Sequence, residues 1–128
     1  MTNELFGLSR IEQIALPVAN LDRAVDFYRS RLGMKYLFSS NGLAFFDCAG
    51  VRLLLSRPEN TDAARPGSVI YFKVDNIHRA YQVLVGRGVV FDDGPHPIAD
   101  MGDYELWLAF FRDSEDNFLA ISGNIAKV

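Results

Sequence analysis

The sequence predicts an α+β protein built from two tandem βαβββ modules, an eight-stranded open, barrel-like mixed sheet around a trough with the helices outside. Three observations carry this. Val18, Asn20, Arg23 and Ala24 recur 56 positions later as Val74, Asn76, Arg79 and Ala80, with Leu21 matched by Ile77. Each copy then runs as an amphipathic helix to a glycine, Gly33 before Met34 and Gly88 before Val89. Each copy also closes on a similar strand pair, Phe45-Phe46 followed by LLLS (53–56) and Phe110-Phe111 followed by LAIS (119–122).

In chain order, the first strand ends near Val18, Asn20 starts or caps a helix over 21–32, and three strands follow. The turns Asp47-Cys48-Ala49-Gly50 and Asp113-Ser114-Glu115-Asp116-Asn117 are rich in residues that accept tight or left-handed backbone, so both read as hairpins. Residues 58–67 hold two prolines and no apolar periodicity, which marks a surface linker between a first module at about 10–57 and a second at about 68–123. The second helix covers 77–87. The stretch 92–103, with Gly94, Pro95, Pro97 and Gly102, reads as a mobile loop or a twisted edge strand. One module alone exposes a sheet face; two together enclose a concave site.

Composition bounds the function. The chain has 128 residues, 49% of them hydrophobic, enough for one compact domain and too few for two of ordinary size. A net charge of −3 with mixed signs offers no basic stripe for nucleic acid or an anionic membrane. No apolar run approaches the roughly 20 residues of a bilayer span, and MTNELFGLSR lacks the layout of a secretory signal, so a cytoplasmic location is expected. Cys48 is the single cysteine; it reads as a small buried thiol and permits neither an internal disulfide nor a thiolate cluster.

The run from Gln13 to Tyr28, QIALPVANLDRAVDFY, followed by Leu32-Gly33-Met34, resembles the opening signature of the vicinal oxygen chelate superfamily of glyoxalases, bleomycin-resistance proteins and extradiol dioxygenases. Phe110 to Asn117, FFRDSEDN, looks like that family's phenylalanine-arginine-aspartate turn, with Asp116 where glycine is usual. The resemblance spans about residues 11–122 and implies the fold. It does not choose among isomerases, lyases, dioxygenases, antibiotic-modifying enzymes and drug-sequestering proteins.

The resemblance also implies a divalent metal held by His, Glu or Gln from the first and last strands of each module. The matching positions here are Gln13, Val69, Leu54 and Ala120, so three of the four offer only hydrocarbon. Neither a metal nor another cofactor is therefore expected. Strand alternation places Gln13 and Ala15, Arg52, Leu54 and Ser56, Val69, Tyr71 and Lys73, and Phe118, Ala120 and Ser122 on the trough side. Leucine, valine and alanine suit the floor of an apolar pocket.

Trp107 and one of the pair Phe45 and Phe46, with Phe46 taken as the site residue, are candidate stacking surfaces for a planar ligand, Tyr71 a hydrogen-bond donor, and His96 a residue of a loop that could close over the site. His78 reads as a solvated helix residue. The expectation is a binding protein of the bleomycin-resistance kind, holding an apolar or aromatic small molecule at Gln13, Leu54, Val69, Tyr71, Ala120, Trp107, Phe46 and His96. The alternative is a metal-dependent or metal-free lyase, isomerase or dioxygenase, with His96 and nearby carboxylates as an unusual metal site. A homodimer is expected, because a curved sheet leaves edge strands unpaired. Modules could pair within one chain or swap between two.

Overall fold

The computed structural model describes residues 6–57 and 68–127; the expected linker lies outside them. The first module runs β1 (Gln13–Pro17), α1 (Leu21–Asp26, continued as a π-helical turn over Phe27–Arg31), β2 (Lys35–Ser40), β3 (Leu43–Cys48) and β4 (Val51–Ser56). The second runs β5 (Ile70–Lys73), α2 (Ile77–Gly86), β6 (His96–Asp100), β7 (Tyr104–Arg112) and β8 (Phe118–Ala126). The eight strands form two sheets of four, ordered β1-β4-β3-β2 and β5-β8-β7-β6. In each the first strand lies parallel to the last and the other ladders are antiparallel.

The internal repeat holds at the level of single hydrogen bonds. Asn20 and Asn76 have nearly the same extended backbone, and each side-chain oxygen accepts from the N–H three residues on, at Arg23 and Arg79. These are N-caps satisfying otherwise orphaned helix donors. Val18 N–H donates to Ser56 and Val74 N–H to Ser122, so both chains enter their helices along the same path. The two copies separate inside the helix. Met34 N–H reaches back six residues to Tyr28 O, whereas Val89 N–H reaches back five to Leu84 O. The first helix therefore carries one residue more, and its last turn widens to take it.

Each helix covers one face of its own sheet. Ala24, Phe27 and Tyr28 pack on Leu16, Ala44, Phe46, Leu53 and Leu55, while Ile77 and Leu84 belong to the same core as Ala109, Phe111, Leu119 and Ile121. The region 92–103 forms an edge strand, β6, with a register break between Pro97 and Ala99. The prolines confine it to the sheet margin. Asp116 takes a left-handed φ of 68°, the reason glycine suits that turn position.

The modules also lock to each other. Glu115, in the β7–β8 hairpin, reaches the start of α1 and accepts hydrogen bonds from Ala19 N–H (3.0 Å), Asn20 N–H (2.8 Å) and the Arg23 guanidinium (2.7 and 3.1 Å). Its side chain is 1% exposed. Burial alone would push its pKa up; the donors from Arg23, Asn20, Ser114 and Ala19 overcome that and bring it to about 2. Beside it Tyr28 Oη donates to Asp113 at 2.7 Å, and Asn117 Nδ2 donates to Pro17 O.

Candidate functional site on the open sheet faces

Cross-strand register settles which side chains share the open faces, those turned away from the helices. On the first sheet one row reads Gln13, Arg52, Asp47, Lys35 and the next Ala15, Leu54, Phe45, Phe38. On the second sheet one row reads Tyr71, Ala120, Phe110 and the next Lys73, Ser122, Leu108, His96. Of the eight expected site residues, Gln13, Leu54, Tyr71, Ala120 and His96 stand on these faces. Val69 lies one residue before β5 and is half-buried.

Two of the eight lie elsewhere. Phe46 is opposite Leu53 on the helix face, fully buried between Tyr28 and Tyr36, because core packing against α1 claims that side of β3. Trp107 is opposite Gly123, also on the helix side, with its ring 5.3 Å from that of His78 on α2. Their strand neighbours Phe45 and Phe110 take the open-face positions.

These faces are aromatic and apolar at their centres. Phe38 and Phe45 stack with centroids 4.7 Å apart, and Phe110 stacks on Phe118 at 5.0 Å with Tyr71 edge-on at 6.1 Å. Arg52 lies over the Phe45 ring and Arg112 over Phe118. Phe38 and Tyr71 are 53% and 52% exposed, a large apolar display for a sheet surface. Such pairs of ring and guanidinium suit planar ligands.

The metal that the family resemblance implies does not fit the residues present. Gln13 Oε1, the single candidate oxygen, accepts a hydrogen bond from Arg52 Nε at 2.9 Å, so a guanidinium occupies the surroundings where a cation would have to sit. Leu54, Val69 and Ala120 have no donor atoms, and among the described residues no group of three or more His, Cys, Asp and Glu converges on one point. His96 is half-buried on the open face; its Nδ1 lies 3.0 Å from Gly94 O, which can only accept, so Nδ1 carries a proton there, and among the described residues Nε2 has no hydrogen-bond partner.

Arg52, Phe45, Phe38 and Phe110 are only faintly legible as a group in the sequence. Alternation located Arg52 beside Leu54, but adjacent phenylalanines in β3 and β7 left the phase of those strands open.

Comparison with known proteins agrees with this architecture. Residues 10–121 match the Glyoxalase/Bleomycin resistance protein/Dioxygenase superfamily, and the chain belongs to that family. It is 27% identical over 126 residues to YraH of Bacillus subtilis (strain 168), covering 88% of this chain and 96% of that protein. Its fold is similar to integron cassette protein VCH_CASS1 from the mobile metagenome of V. cholerae, with TM-score 0.77, 21% identity, and 93% and 98% of the two chains covered. It is also similar to lactoylglutathione lyase from Agrobacterium tumefaciens, with TM-score 0.73, 22% identity, and 91% and 94% covered. At those identities the two structures speak for the fold alone.

Proposed function

We propose that the protein is a small-molecule-binding member of this family that holds an apolar or aromatic ligand on the open sheet faces without a metal. One observation carries the reading: the four family ligand positions are Gln13, bound to Arg52, and the hydrocarbon residues Leu54, Val69 and Ala120, set among Phe38, Phe45, Tyr71 and Phe110. Stacking and desolvation of a planar ligand are what this surface can supply. A second copy of the chain covering the exposed Phe38 and Tyr71 would complete the pocket, so the reading includes a homodimer.

The test is calorimetric titration of the native protein with a panel of planar aromatic and heteroaromatic compounds, before and after soaking with zinc, nickel, iron and manganese. Binding unaffected by metals supports the reading. Binding or turnover that appears with one ion alone overturns it.

A second reading, proton-transfer chemistry, is favoured by one observation: His96, whose Nε2 has no partner among the described residues, shares a row with Ser122 and Lys73. Loss of a turnover on His96→Gln with ligand affinity kept would select it.

A further inference from the structure

The two copies of the repeat differ in what meets the start of the helix. At α1 the carboxylate of Glu115 is held by two successive backbone N–H groups, Ala19 and Asn20, and by the Arg23 guanidinium. The matching donors at α2 are Asp75 N–H, Asn76 N–H and Arg79. Among the described residues, no acceptor engages those two amides and no carboxylate pairs with Arg79.

The difference has a structural origin. Asp47 and Cys48, at the shorter Asp47–Gly50 hairpin, line the same cavity as the start of α2; that hairpin carries no counterpart of Glu115, and Leu84 stands where Tyr28 stands in the first copy. The Tyr28–Asp113 contact that closes the first junction is therefore missing in the second. A cavity of about 550 Å³ lies there, walled by Leu32, Met34, Phe72, Val83, Leu84 and Ile121, with Arg79, Asp75 and Asn76 on its lining.

We infer that this cavity is a second binding site, taking a small molecule with an apolar body and a carboxylate head. The head occupies the position Glu115 fills in the other copy: it accepts from Asp75 N–H, Asn76 N–H and the Arg79 guanidinium, while the body lies against the apolar wall. A volume of this size is that of a small-molecule pocket, and the arginine fork matches a carboxylate in two parallel hydrogen bonds. The first copy shows that this backbone conformation, with an arginine three residues after the capping asparagine, holds a carboxylate.

Lys35 and Arg79 on the wall are balanced by Asp47 and Asp75, so selection for an anion rests on aimed donors rather than on net charge. Asp75 stands where the first copy has Ala19, and its carboxylate weakens the site electrostatically. Cys48 also lines the cavity; burial and then the charge of Asp47 raise its thiol pKa, so it stays a neutral wall atom.

The experiment is titration of the ¹⁵N-labelled full chain with octanoate and, separately, with 1-octanol, followed residue by residue in amide spectra. Octanoate should move the Asp75 and Asn76 amides, leave those of Gln13 and Tyr71 in place, and bind about tenfold or more tighter than octanol. Arg79→Gln should lose about tenfold in octanoate affinity with spectral dispersion intact, and Asp75→Asn should gain a few-fold. Equal binding of acid and alcohol, an octanoate response confined to the open sheet faces, no response up to solubility, or an unaffected Arg79→Gln would each overturn the inference.

Discussion

Arg52 Nε donates to Gln13 Oε1 across the β1–β4 ladder at 2.9 Å, so the one side chain at a family metal position able to ligate is already committed to a cation. Divalent metals need several fixed N, O or S donors, and the neighbouring positions supply hydrocarbon. Native protein soaked with each ion and then dialysed should retain less than about a tenth of an equivalent by elemental analysis. Arg52→Leu should not restore retention, since a hydrocarbon side chain adds no donor. A near-stoichiometric ion would overturn both the assignment of the site and the proposed function.

Ligand affinity should follow the register of the strands and not the size of the aromatic residue. Phe110→Ala removes the ring that both Tyr71 and Phe118 contact, and should weaken an aromatic ligand by about tenfold, as loss of roughly 1.4 kcal/mol of stacking would. Trp107→Phe, on the helix face beside His78, should change affinity by less than about twofold. Calorimetry on the two variants decides; the opposite ranking would place the ligand on the wrong side of the sheet.

Acid stability should depend on Glu115. Its carboxyl pKa falls from 4.5 in the unfolded chain to about 2 in the folded one, so its contribution is fully present above 4.5 and disappears as pH falls toward 2. Allowing for the half-exposed Arg23, that contribution is on the order of 2–3 kcal/mol. Urea unfolding near neutral pH should show Glu115→Gln less stable by this amount, with the gap to the parent protein closing as the solution is acidified through that window. A gap independent of pH would refute the linkage.

Tyr28→Phe tests the neighbouring lock. The hydroxyl is buried and donates to Asp113, whose carboxylate also accepts from Glu115 N–H, Asn117 N–H and Asn117 Nδ2. Three donors remain after the substitution, so the expected cost is about 1–2 kcal/mol rather than that of an uncompensated buried charge. Denaturant midpoints measure it. Burial, and then the charge of Asp113, hold the Tyr28 hydroxyl well above the ordinary tyrosine range, so the bond persists in mild alkali.

Much of this molecule is legible in its sequence because the repeat is written in residues with strong local roles. Asn20 and Asn76 cap, Gly33 and Gly88 take left-handed backbone at φ 69° and 88°, and the hairpin turns carry Asp, Asn and Gly. Phase is harder to read. In Phe45-Phe46 and in Leu106 to Phe111 both faces of the strand are apolar, so period-two alternation has no contrast, and only pairing reveals that Phe46 meets Leu53 and Trp107 meets Gly123. Gly123 held the one clue: a Cβ there would come within 3.0 Å of Ile77, which marks the side approached by α2. The Glu115 lock was not legible because it joins residues more than 90 positions apart with no local pattern.

The extra residue in the first helix sits where a repeat least easily takes one. Length changes between duplicated segments ordinarily settle in loops, where nothing packed has to move. Here one sits between Tyr28 and Met34, inside a helix whose two ends are both pinned, by Asn20 before it and by β2 after it. A five-residue hydrogen-bond loop from Leu32 to Phe27 absorbs it without turning the core-facing side chains out of phase. An alignment of the two halves with a constant offset therefore drifts out of step after this turn, and equivalent residues are matched by their hydrogen-bond partners rather than by position.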